Sequence, residues 1–193
     1  ADPEQNEQQT INTLNAANKE LVIALGGDNS ITYAAALGVY GQRLSTAGLI
    51  TLDAHHDLRD GNSNGSPVRR LIEAGLNPKQ IVQIGINDFS NSSDYEQLAH
   101  SLGITVITRT EVASIGIANA CKKALEIAGA SLGPIHVDLD VDVCDQSVAP
   151  ACPAAAPGGI SAFELRQAAR LLTANSLVRC LGLTEIDASR LAP

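Results

Sequence analysis

Six short apolar runs alternate with helical patterns along almost the whole chain, and this alternation restricts the possible folds more than any other feature. The runs fall at residues 21–25, 49–52, 81–86, 105–108, 135–143 and 178–186. Helix-forming patterns occupy residues 30–44, 67–74, 93–102, 111–128 and 162–174. Strands separated by helices join through right-handed crossovers, which makes the sheet mainly parallel and covers both of its faces. The predicted architecture is therefore α/β, a three-layer α/β/α sandwich around a mainly parallel sheet. Residues 1–20, rich in Gln, Asn and Thr, read as a polar lead-in. Residues 21–193 read as a single domain, a size that one hydrophobic core can serve. The Pro/Ala/Gly-rich stretch at 149–159 reads as a long ordered loop within it.

Strands of such a sheet are apolar on both sides, so a carboxylate inside or just beyond one stands out. Two segments have this character. LITLDAHHDLRD ends an apolar run in Asp53, His55, His56, Asp57 and Asp60, and HVDLDVDVCD sets Asp138, Asp140 and Asp142 at alternate positions. Side chains spaced by two in a strand share a face, so Asp138, Asp140 and Asp142 are predicted to point one way and Val137, Leu139, Val141 and Val143 into the core. Taken alone, the second segment also fits a strand end splayed into solvent. Together the two segments gather carboxylates and imidazoles at the carboxyl edge of a parallel sheet, where open α/β folds place their ligands. Buried like charges are costly without an opposite charge among them. A hard-oxygen donor set with an imidazole and no thiolate suits manganese or magnesium better than structural zinc, and two ions sharing carboxylates can activate water near neutral pH.

Composition narrows the function further. A net charge of −8 leaves no basic surface for nucleic acid. No apolar stretch reaches membrane-spanning length, so no membrane partner is expected. Cys121, Cys144, Cys152 and Cys180 lack the spacing of a metal knuckle or a disulfide framework, and they read as reduced thiols of a cytoplasmic protein.

A third segment, ALGGDNSITYAAALG, could be no more than a strand-to-helix turn. Its order with the other two, however, resembles the ureohydrolase family of arginases, agmatinases and formimidoylglutamases. The motifs are GGDNS at 26–30, DAHHD at 53–57, DLDVDVCDQSVAP at 138–150 with PGGIS at 157–161, and LTEID at 183–187. The resemblance implies that Asp53 and Asp140 bridge two metal ions, that His55 and Asp142 complete one site, and that Asp57 belongs to the other. It implies Mn2+ as cofactor, one or two ions, and Glu185 as the group that orients a cationic amidine or guanidine. It also brings the expectation of a homo-oligomer. Asp138 stands where the family usually has Ser. Asn29 stands at a usual metal-binding His, a weak or lost ligand, and Asn64 at the His of a His-Gly pair. The family carries more chain before GGDNS and after LTEID, so the resemblance also implies an incomplete chain.

The loop LRDGNSNGSPVRRL borders the expected pocket and looks most like that of formimidoylglutamase. Arg59 and Asn64 are its candidate substrate contacts, and Asp57 and Glu185 the candidate catalytic residues. The expected reaction is hydrolysis of the amidine C–N bond of N-formimidoyl-L-glutamate, giving L-glutamate and formamide. Alternatives are a guanidine-cleaving ureohydrolase, Arg59 merely supporting Asp57 or Asp60, or a catalytically silent member that binds a partner. Arg69 and Arg70 read as a solvated helix face, His100 as a surface residue, and His56 as a core residue rather than a ligand.

Overall fold

The structure, a computed structural model, describes residues 3–17 and 19–190. Six strands, β1 (Val22–Leu25), β2 (Gly48–Leu52), β3 (Ile81–Ile86), β4 (Thr105–Thr108), β5 (Ile135–Asp140) and β6 (Val178–Thr184), form one sheet in the order β1-β6-β5-β2-β3-β4. Every pairing is parallel. The helices are α1 (Pro3–Ala17), α2 (Ile31–Tyr40), α3 (Pro67–Glu73), α4 (Ser93–Leu102), α5 (Arg109–Ile115), α6 (Ile117–Ala128) and α7 (Ala162–Thr173).

Both sheet faces are covered, as the apolar strands require. On one, Ile50, Leu52, Val82, Ile84, Val137 and Leu139 pack against Val112 of α5, Ala120 and Ala124 of α6, and Ala168 and Leu172 of α7. On the other, Leu49, Ile81 and Cys180 meet Ala35, Ala36 and Tyr40 of α2, Val68 and Leu71 of α3, and Ala99 of α4. Removing one such aliphatic side chain from water stabilises the fold by about 1.5–3 kcal/mol. Among the described residues no helix is long and apolar enough to cross a membrane, and the four cysteines are free and buried.

From β2 the chain runs outward to β3 and β4, then returns to β5 beside β2 before continuing to β6. Strands β2 and β5 thus flank the point where the strand order reverses, and a crevice opens outside their carboxyl ends. The DAHHD loop leaves β2 and the VDVCD turn leaves β5, so both acidic segments reach that crevice. The GGDNS turn arrives beside them because β1 pairs with β6 and Gly26 N–H donates to the Leu183 carbonyl at 3.0 Å.

Several element boundaries differ from the sequence reading. Most of the polar lead-in is the helix α1; residues 1, 2 and 18 at one end and 191–193 at the other lie outside the described residues. Helix α1 lies against α2 at Gly38, where an added Cβ would come within 2.8 Å of Leu14 Cβ. Arg70, read as a solvated residue, holds α1 in place: its guanidinium donates to both Glu7 oxygens at 2.8 Å and stacks 3.7 Å from the Tyr33 ring centroid. Arg69, by contrast, pairs with Asp60 and Glu73. The helix expected over 111–128 is two helices, broken at Gly116 with φ of 81°. The helix expected over 30–44 ends at Tyr40 and continues as a 3₁₀ segment, Gly41–Thr46.

Gly26 is fixed by space. A Cβ there would lie 2.6 Å from Ile31 Cγ2, the first residue of α2. Gly26→Ala is expected to destabilise the protein by about 1–3 kcal/mol through overpacking at this turn, as measured by urea unfolding against wild type.

Candidate active site

Asp53 follows the last residue of β2 and keeps its backbone N–H on the Ile84 carbonyl of β3. Its Oδ1 accepts the His55 backbone N–H at 2.6 Å, which folds the chain back at once. Asp57, four residues on, has φ of 54°, a left-handed conformation unusual for a residue with a side chain. Such a loop persists only if its surroundings over-determine it, and β3 with its following loop does so. Gln83 donates to the His56 carbonyl at 2.8 Å and its Oε1 lies 2.7 Å from His56 Nδ1, which therefore carries the proton. Asn91 accepts the His56 backbone N–H at 3.1 Å and donates to the Ala54 carbonyl at 2.8 Å. His56 is a buried anchor of this loop, in agreement with its core reading, and burial lowers its pKa.

Strand β5 was predicted to run through Val143. It stops at Asp140, because the Asp140 Oδ1 accepts the Asp142 N–H at 2.9 Å and turns Val141–Val143 into a 3₁₀ segment. That turn, not strand alternation, aims Asp142 at the DAHHD loop. Asp142 Oδ1 accepts from Ala54 N at 2.9 Å, and Asp142 Oδ2 lies 2.7 Å from His55 Nδ1. Asp53, His55 and Asp142 consequently offer ligand atoms within 4.8 Å of one another. Asp138 is different: it is fully buried on the α2 side of the sheet, whereas Asp140 and Asp142 line the cleft.

The third wall comes from β1 and β6. Glu185, with φ of 66°, is the second site residue in the left-handed region; the one other non-glycine case among the described residues is Leu132. Its Oε1 accepts the Asn29 backbone N–H at 2.9 Å and the Asn64 side chain at 3.4 Å. The Asn29 amide nitrogen donates to Asp57 Oδ2 at 2.7 Å and Asp53 Oδ2 at 3.4 Å. Its oxygen accepts the hydroxyls of Thr32 at 2.9 Å and Thr184 at 3.3 Å. The amide oxygen therefore faces away from the carboxylates, and the NH2 group stands where a cation would be welcome.

The cleft these walls enclose has a volume of about 310 Å3, with Asp57, Asp140, Asp142 and Glu185 on its floor and Arg59 and Asn64 on one side. Arg59 is exposed, and among the described residues it forms no ion pair; Asp60 is taken by Arg69. Gly65 lies against it: a Cβ at Gly65 would come within 2.8 Å of Arg59 Cδ. Ser90, Asn91, Ser92 and Tyr95, which also line the cleft, were not foreseen. Neither were Gln83, Thr32 and Thr184. A glutamine inside the apolar run IVQIGI was the one available signal.

Crowded carboxylates in a dry place resist ionisation. Burial raises Asp53 and Asp140 well above the usual range, and neighbouring aspartates add to it. Burial, then Asp138 and Asp142, pushes Asp57 up to about 8. The hydrogen bond to Asp142 raises His55. An oxygen-rich set with one imidazole, whose members hold protons for want of an opposite charge, fits a divalent cation. Asp53, His55, Asp140 and Asp142 could hold one ion, and Asp57 with the shared carboxylates a second.

These shifts set a pH dependence. The folded chain retains a proton on Asp57 that the unfolded chain loses near pH ~3.9. Its contribution therefore favours folding most at low pH and fades as pH rises to about 8. His55, also raised, acts in the same direction. Chelator-treated protein is expected to melt at a lower temperature near pH ~8.5 than near pH ~6. A divalent cation that binds only the folded state should remove the difference, as scanning calorimetry at both pH values would show.

Comparison with known proteins agrees with this picture. The arginase family model matches residues 3–190. Formimidoylglutamase of Halalkalibacterium halodurans is 40% identical over 170 residues, covering 86% of this chain and 53% of that protein. Formimidoylglutamase of Bacillus subtilis is 35% identical over 185 residues, covering 93% and 58%. The chain thus spans just over half the length of these curated relatives. The crystal structure of the Bacillus subtilis formimidoylglutamase superposes with a TM-score of 0.91 at 31% identity, covering 98% of this chain and 61% of that one. With a family match that runs from α1 to the end of the described residues, this chain belongs to the arginase family.

Proposed function

We propose that the chain carries the catalytic core of a manganese-dependent formimidoylglutamase, which hydrolyses N-formimidoyl-L-glutamate to L-glutamate and formamide. The observation that carries the reading is the polarity of the cleft. Its floor is acidic, while the unpaired Arg59 stands on its wall. An acid-bearing amidine fits both ends at once: the cationic amidine goes to the floor and a carboxylate to Arg59, a donor suited to two-point contact. Agmatine, with no carboxylate, would leave Arg59 without a partner. The identity to two formimidoylglutamases supports the same choice.

Divalent ions, when bound, supply an activated water and neutralise the carboxylates. The chain does the rest. Glu185 accepts the amidine N–H groups and fixes the carbon they flank, and the Asn29 and Asn64 donors hold its Oε1 in place. Asp57, a buried carboxylate that lines the cleft, takes the proton of the attacking water and returns it to the departing amine. Water adds to the amidine carbon, the C–N bond to glutamate breaks, and formamide leaves with the oxygen.

Purified protein supplied with Mn2+ is expected to release formamide from N-formimidoyl-L-glutamate and to leave agmatine intact. Urea from a guanidino substrate with no formamide from the amidine would replace this reading with the guanidine-cleaving one. Neither product would favour the silent member. In the active protein, Arg59→Ala should raise KM roughly tenfold, about 1.4 kcal/mol, with kcat little changed, because a remote carboxylate contact is made equally in ground and transition states.

Asn29 sets a second expectation. An amide that presents N–H rather than oxygen to Asp53 and Asp57 adds no donor to the ion between them. The Asp57-side ion should therefore be the weaker and more exchangeable of the two. Calorimetric titration of apoprotein with Mn2+ should resolve two unequal sites, and Asn29→His should tighten the weaker by at least tenfold.

A further inference from the structure

N-formimidoyl-L-glutamate, the substrate proposed above, carries two carboxylates, and Arg59 can hold one of them in a two-point contact. The lining carboxylates of the protein all belong to the floor, which leaves the second substrate carboxylate to a donor on the walls. Most of the polar side chains there are already engaged. His55 is held by Asp142, and Asn64 donates to Glu185. His56 gives its Nδ1 proton to Gln83, which leaves Nε2 an acceptor. Asn91 donates to the Ala54 and Asn87 carbonyls at 2.8 and 3.2 Å. Besides Arg59, the lining side chains left with a free proton are the hydroxyls of Ser90, Ser92 and Tyr95.

Of these three, Tyr95 is the one fixed in place. Ser90 lies on the loop after β3. Ser92 is exposed, and its oxygen caps α4 by accepting the Tyr95 backbone N–H at 3.4 Å. Tyr95 stands in the first turn of α4, and its half-buried ring packs against the core cluster that holds Leu71 and Ala99. Its hydroxyl forms no hydrogen bond with any protein group among the described residues and is not sealed in the interior. A tyrosine so placed joins an apolar body to a polar tip, and near neutral pH the phenol keeps its proton. A group on a braced helix also holds its position better than one on a loop.

We propose that Tyr95 sets substrate specificity: its hydroxyl donates to the carboxylate that Arg59 does not hold. This assignment rests on the cleft being a site for N-formimidoyl-L-glutamate. The amidine on the floor and the two carboxylates on Arg59 and Tyr95 then fix the substrate at three points. A monocarboxylate would leave one of the two donors without a partner, so the site selects for a dicarboxylate amidine.

The test compares wild type, Tyr95→Phe and Arg59→Ala, each supplied with Mn2+, on the full substrate and two truncated ones. N-formimidoyl-4-aminobutyrate lacks the α-carboxylate, and N-formimidoyl-2-aminobutyrate lacks the side-chain carboxylate. On the full substrate Tyr95→Phe should raise KM roughly tenfold, the loss expected for one hydrogen bond to a charged group, with kcat little changed. On one truncated substrate that penalty should vanish, and on the other the Arg59→Ala penalty should vanish instead. Tyr95→Phe keeps the ring, and wild-type kinetics on the first truncated substrate would show that it keeps the fold. A wild type that releases formamide from the full substrate while Tyr95→Phe matches its KM would overturn the role of Tyr95 alone. So would a penalty of equal size on all three substrates, or the loss of both variants' penalties with the same truncated substrate. A wild type that releases no formamide would overturn the formimidoylglutamase reading, and the role of Tyr95 with it.

Discussion

Mutual repulsion among aspartates at the carboxyl ends of β2 and β5 is the constraint around which this molecule is organised. Asp53, Asp57, Asp140 and Asp142 are buried within reach of one another, and each raises the cost of ionising its neighbours. A chain can hold such a group only where backbone donors already face it. Here the N–H groups of Ala54, His55 and Asp142 each point at an aspartate oxygen. The remaining demand is for positive charge, and the protein meets only a small part of it, with the Asn29 amide and His55.

Parallel topology explains why this charge gathers in one place. Reversal of the strand order between β2 and β5 splays their following loops apart and leaves the crevice open. The same arrangement lets each loop be braced by a strand that carries no candidate ligand. Gln83 of β3 grips the His56 backbone and ring, and Thr184 of β6 fixes one side of Asn29. Such bracing lets Asp57 and Glu185 remain in left-handed conformations that their own sequence does not favour. The geometry of the site is thus maintained in part by residues, Gln83 and Thr184 among them, that do not line the cleft.

Much of this was legible in the chain. The strands at 81–86 and 105–108 and the helix at 93–102 lie where the pattern put them, because apolar runs bounded by turn residues are local signals. The GGDNS, DAHHD, DLDVDVCD and LTEID segments converge as their positions at strand ends required. Helix α1 was not legible. Its face is nearly polar, and it depends on Gly38 of α2, on Arg70 and on Tyr33, all distant in sequence. The early end of β5 was missed for a similar reason: a side chain, Asp140, caps the following turn within a segment whose period is that of a strand.

The sequence by itself determined the fold class, the edge of the sheet where chemistry collects, and the residue types gathered there, since periodicity and motif order are properties of the chain alone. Tertiary structure decided which carboxylates enter the cleft. Asp138 and Asp140 have the same spacing in sequence as Asp140 and Asp142, yet α2 covers the first and a 3₁₀ turn delivers the last. It also decided the direction of the Asn29 amide and the freedom of Arg59. Both follow from partners far apart in the chain: Thr32, Thr184, Asp53 and Asp57 for Asn29, and for Arg59 the Arg69 side chain that occupies Asp60. Hydrogen bonds and ion pairs are short-ranged and directional, so their partners become known only when the packed chain brings them together.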